Sequence, residues 1–197
     1  MTKPDKLMLA STSPRRREIL EALGLEFEVV PVDVDETPLA GEDSQAMVVR
    51  LAIAKAEAAP AGTGLAVVAA DTAVVVDGQS LGKPRDCDDC VAMLDRLAGR
   101  SHEVFTGVAV STATGTRTAL SATDVYFREI RRDEALAYWH SGEPQEKAGA
   151  YGIQGLGGAF VERIEGSYSG VVGLPVFETV ALLEQAGFGL LDRIMDR

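Results

Sequence analysis

Residues 65–78 read Leu65-Ala66-Val67-Val68-Ala69-Ala70-Asp71-Thr72-Ala73-Val74-Val75-Val76-Asp77-Gly78 (LAVVAADTAVVVDG), and this stretch decides the fold. Leu65 to Ala70 is apolar without a break, as expected of a strand buried on both faces. Such strands belong to sheets that helices cover on either side. Asp71-Thr72 ends the run, Ala73 to Val76 continues extended, and Asp77-Gly78 signals a hairpin turn. A carboxylate at the end of a buried strand lies where the ligand crevices of α/β proteins form. Asp71 is therefore a candidate to hold a divalent metal or to activate water. The bland alternative is a turn or capping aspartate.

Towards the N-terminus, Leu7-Met8-Leu9-Ala10 reads as another buried strand. A helix is expected from Pro14 to Leu23, with Ser13 as N-cap, proline at the first helical position and Gly24 as its stop. Arg15, Arg16 and Arg17 crowd its first turn, where the helix dipole is positive and arginine has the wrong sign. Either they meet a phosphate there, or they point into solvent. Glu26 to Val32 reads as a strand. The acids Asp33, Asp35 and Glu36 form a loop that is either a metal site or a solvated cluster. An amphipathic helix from about Asp43 to Ala59 puts Met47, Leu51 and Ala54 on one face, and the run from Pro60 to Gly64 breaks it.

Towards the C-terminus, Lys83 in Leu81-Gly82-Lys83-Pro84-Arg85-Asp86 is either a fixed charge for phosphate or an ordinary surface lysine. Asp86 is expected to cap a helix reaching about Ala98, closed by Gly99. Paired strands follow at Glu103 to Ser111 and Thr116 to Phe127, then a short helix at Asp133 to His140. Residues 149–173 are rich in glycine, with Ala159-Phe160-Val161 strand-like. The run Gly152 to Gly158 is no dinucleotide fingerprint, because no clear strand precedes it and no helix opens from it. It is better read as backbone packed against a ligand or another strand, with Gln154 able to read a base or amide edge. A final helix runs from near Pro175 to around Gln185. Strands and helices alternate early and strands pair later, which predicts an α/β fold with a mixed sheet.

Composition sets outer bounds. The 197 residues are 46% hydrophobic and 25% charged, as in ordinary soluble domains. No apolar run approaches the roughly 20 residues that span a bilayer, and Met1 to Lys6 lacks an apolar signal core. A cytoplasmic location without membrane contact is expected. The net charge of −11 argues against a nucleic acid polymer as partner, but local cations can still bind a small phosphorylated ligand. Cys87 and Cys90 supply half a zinc site at most, and His102 and His140 show no ligand spacing to them. Asp88 and Asp89 between the thiols would raise their pKa values, so both read as helix-surface or core cysteines. Cations for phosphates, acids for a metal and a polar group for a base form the inventory of metal-assisted nucleotide hydrolysis.

Four motifs then stand in order: LASTSPRRREIL at 9–20, VVRLAIAKA at 48–56, AADTAVVVDGQSLGKPRD at 69–86 and KAGAYGIQGLGGAFVERIEGSYSGVVGLP at 147–175. Together they resemble the Maf family of nucleoside triphosphate pyrophosphatases over roughly residues 7–185. The resemblance implies one domain over 1–197, an elongated mixed β-sheet flanked by helices, with two lobes and a cleft between them (Maf/ITPase-like), and a homodimer. It implies cleavage of a nucleoside triphosphate between the α and β phosphates, with Mg2+ or Mn2+ as cofactor. It assigns Asp71 as proton acceptor and places Ser13, Arg15, Arg16, Glu36, Lys55 and Lys83 on the phosphate and metal sides, with Asp71 and Glu36 toward the metal. It also divides the family by substrate. Arg15, Thr72 and Gln154 match the dTTP/UTP branch, where the 7-methyl-GTP branch carries tryptophan, glutamine and glutamate. The chemistry agrees: a cationic methylguanine suits an aromatic face and a carboxylate, whereas a neutral pyrimidine edge suits the paired donor and acceptor of glutamine. Arg17 has less motif support and stays outside the set. Two rivals remain: a nucleotide-binding regulator of septum formation, and a pyrophosphatase of another nucleotide.

Overall fold

In the computed structural model, which describes residues 6–60 and 64–190, the first apolar run forms β1 (Leu7–Leu9). Helix α1 (Pro14–Ala22) follows, and Gly24 stops it in the left-handed region at φ 68°. Strand β2 is only Phe27–Val29, shorter than its sequence pattern: Pro31, which has no N–H for the ladder, stands inside the predicted span, and Val30 and Val32 pack against the core without extending the strand. Asp43 caps α2 (Ser44–Glu57) by accepting from the Ala46 N–H. Within the predicted break after Pro60, residues 61–63 lie outside the described residues.

Strand β3 (Ala66–Val76) corrects the opening expectation. It does not end at Asp71 but runs through it, and burial lapses only at Asp71 and Thr72 before four more buried residues. Asp77 and Gly78, at φ 52° and 70°, turn the chain into β4 (Gln79–Leu81). After α3 (Cys87–Leu97) come β5 (Ser101–Thr112), β6 (Gly115–Phe127) and α4 (Arg132–His140). Short 3-10 turns, one at Glu143–Glu146 and another at Leu156–Phe160, precede β7 (Val161–Glu165). Thus Ala159 and Phe160, expected in a strand, close a 3-10 turn, and the strand begins where that pattern ended. Helices α5 (Tyr168–Val172) and α6 (Val176–Gln185) complete the described chain.

One sheet takes the order β2-β1-β3-β5-β6-β7, with β4 paired to β3. The pairs β1–β2 and β1–β3 are parallel, whereas β3–β4 and β6–β7 are antiparallel, so the α/β fold has the mixed sheet that the sequence predicts. The chain divides into two compact units, one of Met1–Asp71, Thr106–Ser121 and Gly173–Arg197, the other of Thr72–Phe105 and Ala122–Val172.

In the first unit the strand alternation is plain. Leu7, Leu9, Val68 and Val110 pack with Leu20 of α1 and Leu183 of α6. Met8, Val67, Ala69 and Ala109 face the other way, onto Ala52 and Ala56 of α2. This second layer is thin: a Cβ added at Gly107 would stand 2.4 Å from the Val48 carbonyl oxygen. The buried face of α2 is Val48, Leu51, Ala52 and Ala56, so Leu51 is placed as expected while Met47 and Ala54 sit at its half-buried flanks. In the second unit, Val74, Val76, Leu94, Leu97, Phe127, Tyr138, Tyr151 and Phe160 form the core.

Candidate functional site

Lys55, in the last turn of α2, lies where the helix dipole favours a cation. Its ammonium donates to Asp71 Oδ1 at 2.7 Å and pairs with Glu36 Oε1 at 2.5 Å. Lys55 and Asp71 are largely covered, while Glu36 is exposed on its loop. Burial pushes the Asp71 carboxyl up from its ordinary value, and Lys55 and Arg16 oppose this without cancelling it. The acidic loop is fastened to α2. Arg50 grips Glu42 through Nε at 2.6 Å and a terminal nitrogen at 2.7 Å, and that nitrogen also donates to the Thr37 carbonyl at 3.3 Å. Asp35 accepts from the Thr37 N–H at 2.9 Å, and Glu42 from the Leu39 N–H at 3.1 Å.

The three arginines of α1 separate. Arg16 donates through Nε to the Gly173 carbonyl at 2.8 Å and through a terminal nitrogen to Ser11 Oγ at 3.2 Å. Burial draws its guanidinium pKa down, and the neighbouring Arg15 adds to this, while Asp71 and Glu36 pull it up. Arg16 therefore shares an electrostatic environment with both acids. Arg15 is half-buried beside it, and Arg17 is exposed with Glu21 at 3.6 Å. Ser13 has the N-cap backbone conformation, but its side chain makes no cap bond. That corrects the expected capping role. Its own N–H instead donates to Ser11 Oγ at 3.2 Å, and the Ser13 hydroxyl caps none of the first-turn N–H groups.

The structure thus brings Glu36, Lys55, Asp71 and Arg16 together in the first unit, with Arg15 and Ser13 adjoining. In the second unit, Thr72 is half-buried in β3. Lys83 is exposed and pairs with Glu146 at 3.2 Å. Gln154 is exposed on the turn between Gly152 and Gly155. The glycines around it are not packed on a neighbouring strand. Added Cβ atoms would strike the Lys147 side chain from Gly152, the Glu143 carboxylate from Gly155 and the Tyr138 hydroxyl from Gly157. The two cysteines are free, both in the first turn of α3. Burial raises the Cys90 thiol to about 11, with Cys87 and Asp89 adding to it, so it is a core side chain and not a reactive one. Arg50 and Glu143 escaped the sequence reading. Arg50 lies inside the VVRLAIAKA motif, but nothing local marks Glu143.

Two carboxylates and two largely covered cations beside a helix N-terminus, on a mixed α/β sheet, suit the handling of a phosphorylated anion. The family model described as Maf-like protein matches residues 6–186, and the chain belongs to the Maf family. It is 51% identical over 186 residues to a dTTP/UTP pyrophosphatase of Hahella chejuensis, covering 92% of each chain. It is 53% identical over 189 residues to a dTTP/UTP pyrophosphatase of Anaeromyxobacter dehalogenans, covering 94% of this chain and 96% of that one. Among solved structures, a HAM1 protein from Coxiella burnetii is 19% identical with a TM-score of 0.46, over 62% of this chain and 72% of that chain. That likeness is too distant to bear on the site.

Proposed function

We propose that the protein hydrolyses dTTP and UTP between the α and β phosphates, giving the nucleoside monophosphate and pyrophosphate. The observation that carries this reading is the covered Asp71–Lys55 pair joined by Glu36 and flanked by Arg16. The dTTP/UTP pyrophosphatase names of relatives about half identical support the substrate class. Asp71 accepts the proton of the attacking water, a role that its raised pKa suits, since a base works best with a pKa nearer the working pH. Lys55, Arg15 and Arg16 offset charge on the triphosphate, and Arg15 also bears on the choice of base. Ser13 and the N–H groups of α1 offer donors to phosphate oxygens. Lys83 also serves phosphate: its exposed pair with Glu146 is weak enough to exchange. Thr72 and Gln154 bear on the base, Gln154 through its amide.

A divalent cation fits this donor set. Asp71 and Glu36 converge on one point, the Lys55 nitrogen, and one or two carboxylates plus substrate phosphates are the usual Mg2+ ligands. Among the described residues no cluster of three or more His, Cys, Asp or Glu forms a metal cage. Asp71 and Glu36 would hold Mg2+ or Mn2+, which when bound neutralises phosphate charge and acidifies water. A homodimer, which the resemblance implies, and the cytoplasmic location expected from the composition belong to the same reading, and light scattering tests the first. Among the described residues no helix is long and apolar enough to cross a membrane.

Turnover on dTTP, UTP, CTP and 7-methyl-GTP, measured side by side with Mg2+, tests the reading. The expected result is fastest turnover of dTTP and UTP with pyrophosphate as co-product. Preference for 7-methyl-GTP or release of orthophosphate overturns it. Binding without turnover favours the regulator.

A further inference from the structure

We infer that Glu143 is a positioning residue for substrate selection, holding the turn that presents Gln154; this rests on the reading of Gln154 as a base contact. Glu143 opens the 3-10 turn that follows Gly142. Its Oε1 accepts from the Tyr138 hydroxyl at 2.8 Å and from the Gly157 N–H at 3.0 Å. Its Oε2 accepts from the Leu156 N–H at 2.8 Å. Tyr138, buried on α4, in turn accepts from the Gly152 N–H at 3.1 Å. The two side chains therefore tie backbone on both sides of Gln154, at residue 152 and at residues 156 and 157. Gln154 is exposed between the two tied ends.

The glycines are part of the same device. A Cβ at Gly155 would lie 2.3 Å from Glu143 Oε2, and one at Gly157 would lie 2.6 Å from the Tyr138 hydroxyl. The turn must expose bare backbone so that the carboxylate can reach its N–H groups. An ionised carboxylate, acceptor-only on both oxygens, suits all three of these bonds at once. Burial pushes the Glu143 carboxyl up, but the bonds from Gly157, Leu156 and Tyr138 outweigh that and leave it below the ordinary value. The clasp is therefore closed at neutral pH. A turn held this way keeps the Gln154 amide in one orientation before the nucleotide arrives, which lowers the ordering cost of binding.

The test uses the full chain and four variants: Glu143→Gln, Tyr138→Phe, Gln154→Ala, and Glu143→Gln with Gln154→Ala. Glutamine keeps the shape of Glu143 but turns one acceptor into a donor facing an N–H. Glu143→Gln is expected to raise KM for dTTP and UTP at least about fivefold while kcat stays within about twofold, with weaker preference for UTP over CTP. Tyr138→Phe, which keeps the ring in the core, is expected to move KM the same way by at least about twofold. It carries the test if Glu143→Gln does not fold. In the Gln154→Ala background, Glu143→Gln is expected to change KM by less than about twofold, because the two act through one contact. The inference is overturned if Gln154→Ala raises KM and neither clasp variant does, or if the two effects multiply. If Gln154→Ala itself leaves KM and nucleotide preference unchanged, the base-contact reading falls and the role of Glu143 falls with it.

Discussion

At Asp71 burial and the proposed role as proton acceptor pull in the same direction. Burial holds its pKa above the ordinary aspartate value, and a base with a raised pKa is a better proton acceptor. Asp71→Asn is expected to lower kcat by at least about 10²-fold with an unchanged circular dichroism spectrum. Activity of the wild-type chain should rise with pH as Asp71 ionises, so the acid limb of kcat/KM should lie above about 3.9, and the asparagine variant should lose that limb. Stability runs the other way. The folded chain holds this proton more tightly than the unfolded one, so the Asp71 contribution is fully present below about 3.9 and is lost as pH rises through the folded pKa. A urea titration of both proteins should show a flatter pH slope for the variant over that window. Asp71 was legible as a polar break in an apolar run, but its strand position was not. A run of side chains cannot tell a strand that stops from one that carries a carboxylate through its middle, because the ladder belongs to the backbone. Lys55 entered only through the resemblance and Glu36 only as one acid of a loop, since spacing along the chain does not disclose that they meet at Asp71.

Helix α2 carries both the lysine of the site and the arginine that fastens the acidic loop. Glu42 is drawn down to about 2 by its bonds to Arg50, so the clamp is fully present above the ordinary glutamate value of 4.5 and is lost as pH falls toward 2. Arg50→Met is expected to raise hydrogen exchange at the Leu39 and Glu42 amides about tenfold at neutral pH, leaving the core of α2 protected; unchanged exchange would show that Arg50 does not hold the loop. The helix and its cap were legible from Asp43 and the apolar period. Its buried face was legible only at Leu51, because the rest of that face is made of small residues. Ala52 and Ala56 pack on the sheet, and the backbone at Val48 comes close to Gly107, whereas a reading by bulk selects Met47. Gly107→Ala should therefore cost about 1–3 kcal/mol in urea unfolding, since the contact is with backbone that cannot swing aside. The glycines at 152–157 were legible as close backbone approach, but not the side chains approached, which lie on α4 and the turn after it.

For the whole molecule, alternation early and pairing late disclosed the mixed sheet, because each pattern reflects which faces a strand buries. The division into two units was less visible, since the chain leaves the first unit after Asp71 and re-enters it at Thr106 within continuous strands. Charge is the property legible in full, and it sets a last expectation. A chain of net charge −11 repels a nucleoside triphosphate at long range, while Lys55 and Arg16 attract it at close range. The two ranges screen differently. At about 10 mM salt the Debye length of about 30 Å lets the substrate feel the whole charge, and at about 150 mM the length of about 8 Å removes most of that repulsion. Lys55 and Arg16 are largely covered, so salt weakens their attraction much less. At constant Mg2+, kcat/KM for UTP should therefore rise about two- to fivefold from low to physiological salt. A steep fall over the same range would mean that exposed cations, such as Lys83 and Arg17, dominate the approach of the nucleotide instead.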